Sequence, residues 1–300
     1  MLLILLLNFF FAITFVLAKA VVVYIKPVFF TGIRMTIAGT GMLGYLYLFD
    51  RTYLRCDRKD WGKFIQVMVF NFFLSFCGEF WAIQYLTAAK VSLLFSLTPF
   101  ITAFFAYILL SERLTRRQWV GLMIGVFGFI PILINQDVSE EMTQYIGFLS
   151  TPELVLLGVV AAASYAWIVT KLLLDRSYVP VMINGLGMLG GGIMSFLYSI
   201  PMEGWPPQLI ISESFWYSLS MVIALLIALI LLGNVICFNL YAALLKKYTT
   251  TFISFSGLTI PLFTAILDWI IWRQVVSIAF VVTMAIVGIG LYLFYQDELK

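Results

Sequence analysis

Histidine is absent from the 300 residues. With it go the commonest general base and the commonest metal ligand, which removes the usual centre of a hydrolase. Charge is scarce: Lys, Arg, Asp and Glu make up 11% of the chain, against about 25% in an ordinary soluble domain. Cysteine occurs three times, at Cys56, Cys77 and Cys237. The number is odd and the spacing fits no zinc site, so neither a disulfide framework nor a metal centre is expected. The net charge of +3 carries no nucleic-acid signal, because the basic residues sit in loops between apolar runs. These absences exclude a soluble globular enzyme, a disordered chain and a disulfide-rich secreted domain.

What is present is apolar. Hydrophobic residues form 63% of the chain, and its mean hydropathy is +1.04. Long apolar runs fall near 2–25, 28–49, 64–87, 90–111, 118–135, 152–172, 179–201, 214–241, 250–271 and 275–295. A spanning helix needs roughly 20 such residues, so an all-α integral membrane protein with ten transmembrane helices is expected. A transmembrane β-barrel would show short alternating segments instead. The first run resembles a signal peptide around Ala18-Lys19-Ala20, but no basic segment precedes it, so it is expected to remain as the first helix.

Basic residues orient the helices. With the N-terminus inside, thirteen Lys and Arg fall in the inner loops and at the C-terminal end, from Arg51 to Lys300. Only Lys26, Lys90 and Arg273 fall in outer loops, and Lys19 and Arg34 lie inside apolar runs. The bias is expected to place both termini of a multi-pass membrane protein in the cytoplasm.

The chain also repeats itself. A shift of 162 carries Thr87, Pro99, Thr102, Ala103, Ile124 and Gly128 onto Thr249, Pro261, Thr264, Ala265, Ile286 and Gly290. Lys19 precedes Pro27 much as Lys171 precedes Pro180. The expected organisation is a first repeat over 1–135, a linker over 136–151 and a second repeat over 152–300. Five spans per half put the second half in the opposite orientation, and inverted repeats are a transporter signature.

The residues that carry these features resemble a known family. Tyr85 to Leu94, then Thr98-Pro99-Phe100, then Ser111-Glu112-Arg113-Leu114, are similar to the EamA-type drug/metabolite transporters. So is Lys19 followed by Pro27 and Arg34. In the second half Gln274 stands where the counterpart of Glu112 is acidic in the family. The resemblance implies ten helices, a central cavity lined mainly by helices 1, 3, 4, 6, 8 and 9, and alternating access. It implies no cofactor.

Charged groups at membrane depth mark functional sites. Asn71, Ser75 and Glu79 recur at i, i+4 and i+8 and share one helical face, with Phe72 and Phe76 beside them. Glu79 lies about 12 Å, and Lys19 and Arg34 about 9 Å, from the outer ends of their helices. One reading makes Lys19 and Arg34 a cradle for a substrate carboxylate. The other makes them neutralise Glu79 or cap carbonyls of broken helices. The shift takes Glu79 to Tyr241, and Asn234 shares that face; substrate contact and interhelical hydrogen bonding both fit Asn234. Trp167 is expected in the cavity wall, and Trp81 to pack away from the stripe. Trp61, Trp119, Trp205, Trp216, Trp269 and Trp272 are expected at the membrane interfaces. Asp268, near Arg273, reads as a surface pair or outer gate. Gly187, Gly190, Gly191 and Gly192 read as a close helix contact.

Together these features point to a secondary transporter for a small organic metabolite. A channel would repeat a ring of charges or carbonyls. A membrane enzyme would need a nucleophile–base or metal constellation. Glu79 would repel a phosphate ester, whereas it suits a zwitterion with a cationic centre. An amino acid or another metabolite fits. S-adenosylmethionine fits better, with its ammonium, sulfonium, carboxylate and purine. The resemblance extends to members from intracellular bacteria that carry it in exchange for S-adenosylhomocysteine.

Overall fold

The computed structural model describes residues 2–109, 115–134, 145–146, 149–204, 215–248, 253 and 256–295. The linker over 136–151 falls mostly outside these residues, as do Glu112 and Trp205. In the first half run α1 (Leu2–Val21), α2 (Pro27–Phe49), α3 (Arg58–Ala82), α4 (Ala88–Phe105) and α5 (Arg116–Ile134). In the second run α6 (Thr151–Asp175), α7 (Pro180–Glu203), α8 (Trp216–Leu245), α9 (Thr259–Trp272) and α10 (Ile278–Phe294). Tyr145–Ile146 and Leu149–Ser150 pair as a short antiparallel hairpin before α6.

Among the described residues, seven helices are long and apolar enough to cross a membrane. They are α1, α3, α4, α5, α6, α7 and α8. Helix α2 has the length, but threonines, glycines and Arg34 dilute its apolar character. Helices α9 and α10 are apolar but shorter.

Sequence punctuation accounts for the boundaries. Pro27 and Pro180 open α2 and α7, where the missing N–H costs nothing and the fixed φ suits a helix. Thr115 with Gln118 and Ser150 with Glu153 form capping boxes at the starts of α5 and α6. Gly204, at φ 86°, stops α7.

Two irregularities recur in both halves. Helix α3 is π-helical over Val67–Leu74, and α8 over Ile230–Cys237. Each π segment holds one buried asparagine, Asn71 and Asn234. Widened turns of this kind recur at functional sites. The second irregularity is a break. Helix α4 is interrupted at Ser96–Leu97, just ahead of Pro99, and the chain turns at Gly257–Leu258, just ahead of Pro261. A proline removes a backbone donor and crowds the carbonyl four residues earlier, so the helix gives way before it.

The helix pairs also come in exchanged sets. Helix α2 packs on α7, α5 on α10 and α4 on α9; α1 meets α9 as α6 meets α4, and α3 meets α6 as α8 meets α1. Glycines let backbones touch along these seams. A methyl group on Gly192 would lie 2.6 Å from Thr36 N, and one on Gly290 2.6 Å from Gly125 N. Gly187, Gly190 and Gly191 press against Phe72 and Met68 of α3, so the glycines of α7 serve packing. Trp61, Trp119, Trp216, Trp269 and Trp272 are exposed on the outside of the bundle, while Trp81 packs on Tyr85.

Candidate functional site

Helices α1, α2, α3, α4, α6 and α8, with residues around the 257–258 turn, enclose a cavity of about 140 Å³. Helix α3 supplies Asn71, Ser75, Phe76, Glu79 and Phe80 to its wall. The i, i+4, i+8 stripe thus faces one space despite the π segment. Arg34 enters from α2, Trp167 from α6, and Phe238 and Tyr241 from α8. Among the described residues lining the cavity, Glu79 is the one carboxylate and Arg34 the one cation.

These groups are not equally committed. Ser75 Oγ donates to Phe70 O at 2.5 Å, so its hydroxyl serves the helix. Glu79 is partly buried, and no hydrogen bond to its carboxylate is made among the described residues. Arg34 is 2% exposed. Its guanidinium carbon lies 4.9 Å from the Phe76 ring centre and 4.6 Å from that of Phe80, within cation–π distance of both rings. Its Nε has no acceptor, and neither has Asn71 Nδ2.

The aromatic residues form a run. Tyr241 and Trp167 lie 4.0 Å apart, Trp167 and Phe238 5.4 Å, and Phe238 and Phe76 5.5 Å. The first two pairs are inclined by 32° and 26°. This end of the cavity offers π faces to a planar group.

Two of the nine residues expected at the site lie elsewhere. Lys19 is not in the cavity wall. Its Nζ donates to the carbonyls of Ile83, Gln84 and Leu86 at 2.8, 3.2 and 2.9 Å. These carbonyls follow the end of α3, where no further helical turn can take them, so the capping reading of Lys19 holds. Lys171 does the same at the end of α8, donating to Leu245 O at 2.8 Å, 162 positions beyond Ile83. Asn234 is buried away from the cavity and turns its Nδ2 to Met35 Sδ at 2.8 Å and Met188 Sδ at 3.4 Å. It serves packing between helices.

Two further expectations are corrected. Asp268 is no surface partner of Arg273: it is buried, and its Oδ2 accepts from Ala89 N at 2.9 Å. It caps the start of α4, whose exposed N–H groups attract a carboxylate. Lys90 is no loop residue. It is buried in the first turn of α4, 3.0 Å from Glu153 Oε1. The Glu153 side chain also closes the capping box on Ser150 N at 2.7 Å.

Several lining residues escaped the sequence reading: Asn8, Thr14, Ser92, Thr98 and Phe238. Asn8 carried a signal, as the first polar residue in an otherwise apolar N-terminal run. Its Nδ2 donates to Ser256 O at 2.7 Å and Thr259 Oγ1 at 3.0 Å, tying α1 to the broken start of α9.

The sequence pattern of the EamA-like transporter family matches residues 1–134 and again 151–296. The chain belongs to the EamA-like transporter family. It is 30% identical over 293 residues to a Chlamydia muridarum protein named S-adenosylmethionine/S-adenosylhomocysteine transporter, covering 96% of this chain and 88% of that one. A protein of the same name from Chlamydia trachomatis serovar L2 is 28% identical over 289 residues, covering 96% and 86%. A solved crystal structure superposes with a TM-score of 0.67 at 17% identity, over 100% of this chain and 98% of the other. That likeness establishes a shared fold.

Proposed function

We propose that this EamA-family chain is a secondary transporter that takes S-adenosylmethionine and exchanges it for S-adenosylhomocysteine by alternating access. The observation that carries the reading is the cavity wall, with one carboxylate, one guanidinium and a run of aromatic rings among the described residues. S-adenosylmethionine presents an ammonium and a sulfonium, a carboxylate and a purine, so each feature of the wall has a counterpart. The names of the Chlamydia relatives support the same substrate. A plain amino acid would answer Glu79 and Arg34 but leave the aromatic run unused.

The architecture that goes with this reading is ten spans in two inverted five-helix repeats, 1–135 and 152–300, joined by a linker over 136–151. The doubled family match, the recurring π segments and breaks, and the exchanged helix pairs support it. Both termini are then cytoplasmic, in a bacterial inner membrane. Lys19, Asp268 and Lys171 hold helix ends at the margins, which leaves the midplane wall to the substrate.

The test is exchange in liposomes. Purified protein, in vesicles loaded with S-adenosylhomocysteine, is expected to take up labelled S-adenosylmethionine, and either compound outside should compete. Absence of saturable uptake, with an amino acid carried in its place, would overturn the proposal.

A further inference from the structure

We infer that Arg34, held against the rings of Phe76 and Phe80 and assisted by Asn71, is the anchor for a carboxylate, so that a carboxylate is an obligatory feature of the substrate. The inference rests on the transporter reading above and adds a chemical requirement to it.

Phe76 and Phe80 stand one turn apart on α3, and the guanidinium of α2 sits against both rings. Both rings lie within cation–π distance of the guanidinium, and its N–H groups remain the part that can hydrogen-bond a ligand. Among the described residues no hydrogen bond from Arg34 is made, and its Nε is buried without an acceptor. Asn71 Nδ2 lines the same cavity, 2% exposed as a residue, and also lacks an acceptor. Two buried, unanswered donors around one space require an acceptor from elsewhere. A carboxylate meets the requirement, since it takes two parallel hydrogen bonds from a guanidinium.

Groups that would compete for this role are engaged elsewhere. Lys19 holds three carbonyls at the end of α3. Among the described residues no ion pair within 4 Å joins Arg34 to Glu79, so that carboxylate does not close the N–H edge of the guanidinium. Glu79 in turn disfavours a phosphate, whose larger negative charge it would repel. Phe76 also touches Phe238 at 5.5 Å. One ring therefore joins the carboxylate anchor to the aromatic run, and a ligand must reach both.

The test compares S-adenosylmethionine with the same molecule lacking its carboxylate, as competitors for binding to purified protein. The wild type should bind the decarboxylated compound at least about tenfold more weakly, the loss expected for a hydrogen-bonded charge contact. In Arg34→Gln that preference should collapse, because S-adenosylmethionine loses affinity and the decarboxylated compound does not. Phe80→Leu, which removes one of the two rings that hold the guanidinium, should narrow the ratio part-way. Equal binding of both compounds by the wild type overturns the inference, even if Arg34→Gln fails to fold. An undiminished ratio in a folded Arg34→Gln overturns it as well. A wild type that binds neither compound overturns the function proposed above instead.

Discussion

Replacing Glu79 by Gln separates a substrate contact from a structural charge. The change keeps the side chain's size and removes only its charge. Glu79 lines the cavity, and no hydrogen bond or ion pair to its carboxylate is made among the described residues. Loss of the charge therefore breaks no hydrogen bond or close ion pair among the described residues, and the loss of thermal stability should stay well below the about 3–5 kcal/mol of a broken buried pair. Binding should suffer more. A hydrogen bond to a charged partner contributes about 1.5–3 kcal/mol, and about 1.4 kcal/mol is a factor of ten. The affinity for S-adenosylmethionine should fall by about tenfold to a hundredfold. Calorimetric titration of the purified variant measures the affinity, and a melting curve on the same sample measures stability. The opposite pattern would refute the reasoning: unchanged affinity with a clearly lowered melting temperature. That result would make Glu79 the structural counter-charge of Arg34, since a buried cation that loses its partner costs about 3–5 kcal/mol.

The buried pair of Lys90 and Glu153 should respond in that structural way. Lys90→Met removes the cation 3.0 Å from a buried carboxylate, and a loss of about 3–5 kcal/mol is expected; an unshifted melting temperature would count against it. Two glycines on neighbouring helices should differ. Gly192→Ala forces α2 and α7 apart at Thr36 N and should cost about 1–3 kcal/mol. Gly158→Ala has open space around the new methyl and should leave the melting temperature equal or slightly higher. Topology can be read from a native thiol. Cys77 and Cys237 are buried and Cys56 is partly exposed, so an impermeant maleimide should label Cys56 only in opened cells. Burial, aided by Asp60 and Asp57, holds the Cys56 thiol above its ordinary value. Labelling depends on the thiolate, so it should quicken as pH rises through the alkaline range. Labelling in intact cells would reverse the orientation proposed here.

The amino-acid sequence by itself determined the class of this protein, because apolar runs and the near absence of charge allow only a bilayer as solvent. The run boundaries near Pro27 and Pro180 were also legible, since proline acts on its own backbone, whereas 90–111 and 250–271 read as single runs and their breaks ahead of Pro99 and Pro261 emerged only in the structure. The Asn71, Ser75 and Glu79 stripe was legible for a similar reason: helical periodicity is local. Seven of the nine expected site residues line the cavity on the strength of such local signals.

The tertiary structure alone decided what each polar group meets. Lys19 and Arg34 lie on adjacent helices at similar expected depth, and the sequence offers no way to tell them apart. One reaches three carbonyls at the end of α3; the other is clasped by two rings of that helix. Asp268 and Lys90 looked like margin residues because they lie near helix ends. They are buried because the start of α4 lies against Asp268 and α6 lies against Lys90. Asn234 sits in a π segment as Asn71 does, yet faces methionine sulfurs from α2 and α7. In each case the partner comes from another helix. Which helix end lies against which is settled by the packing of the whole bundle, through contacts far apart in the chain.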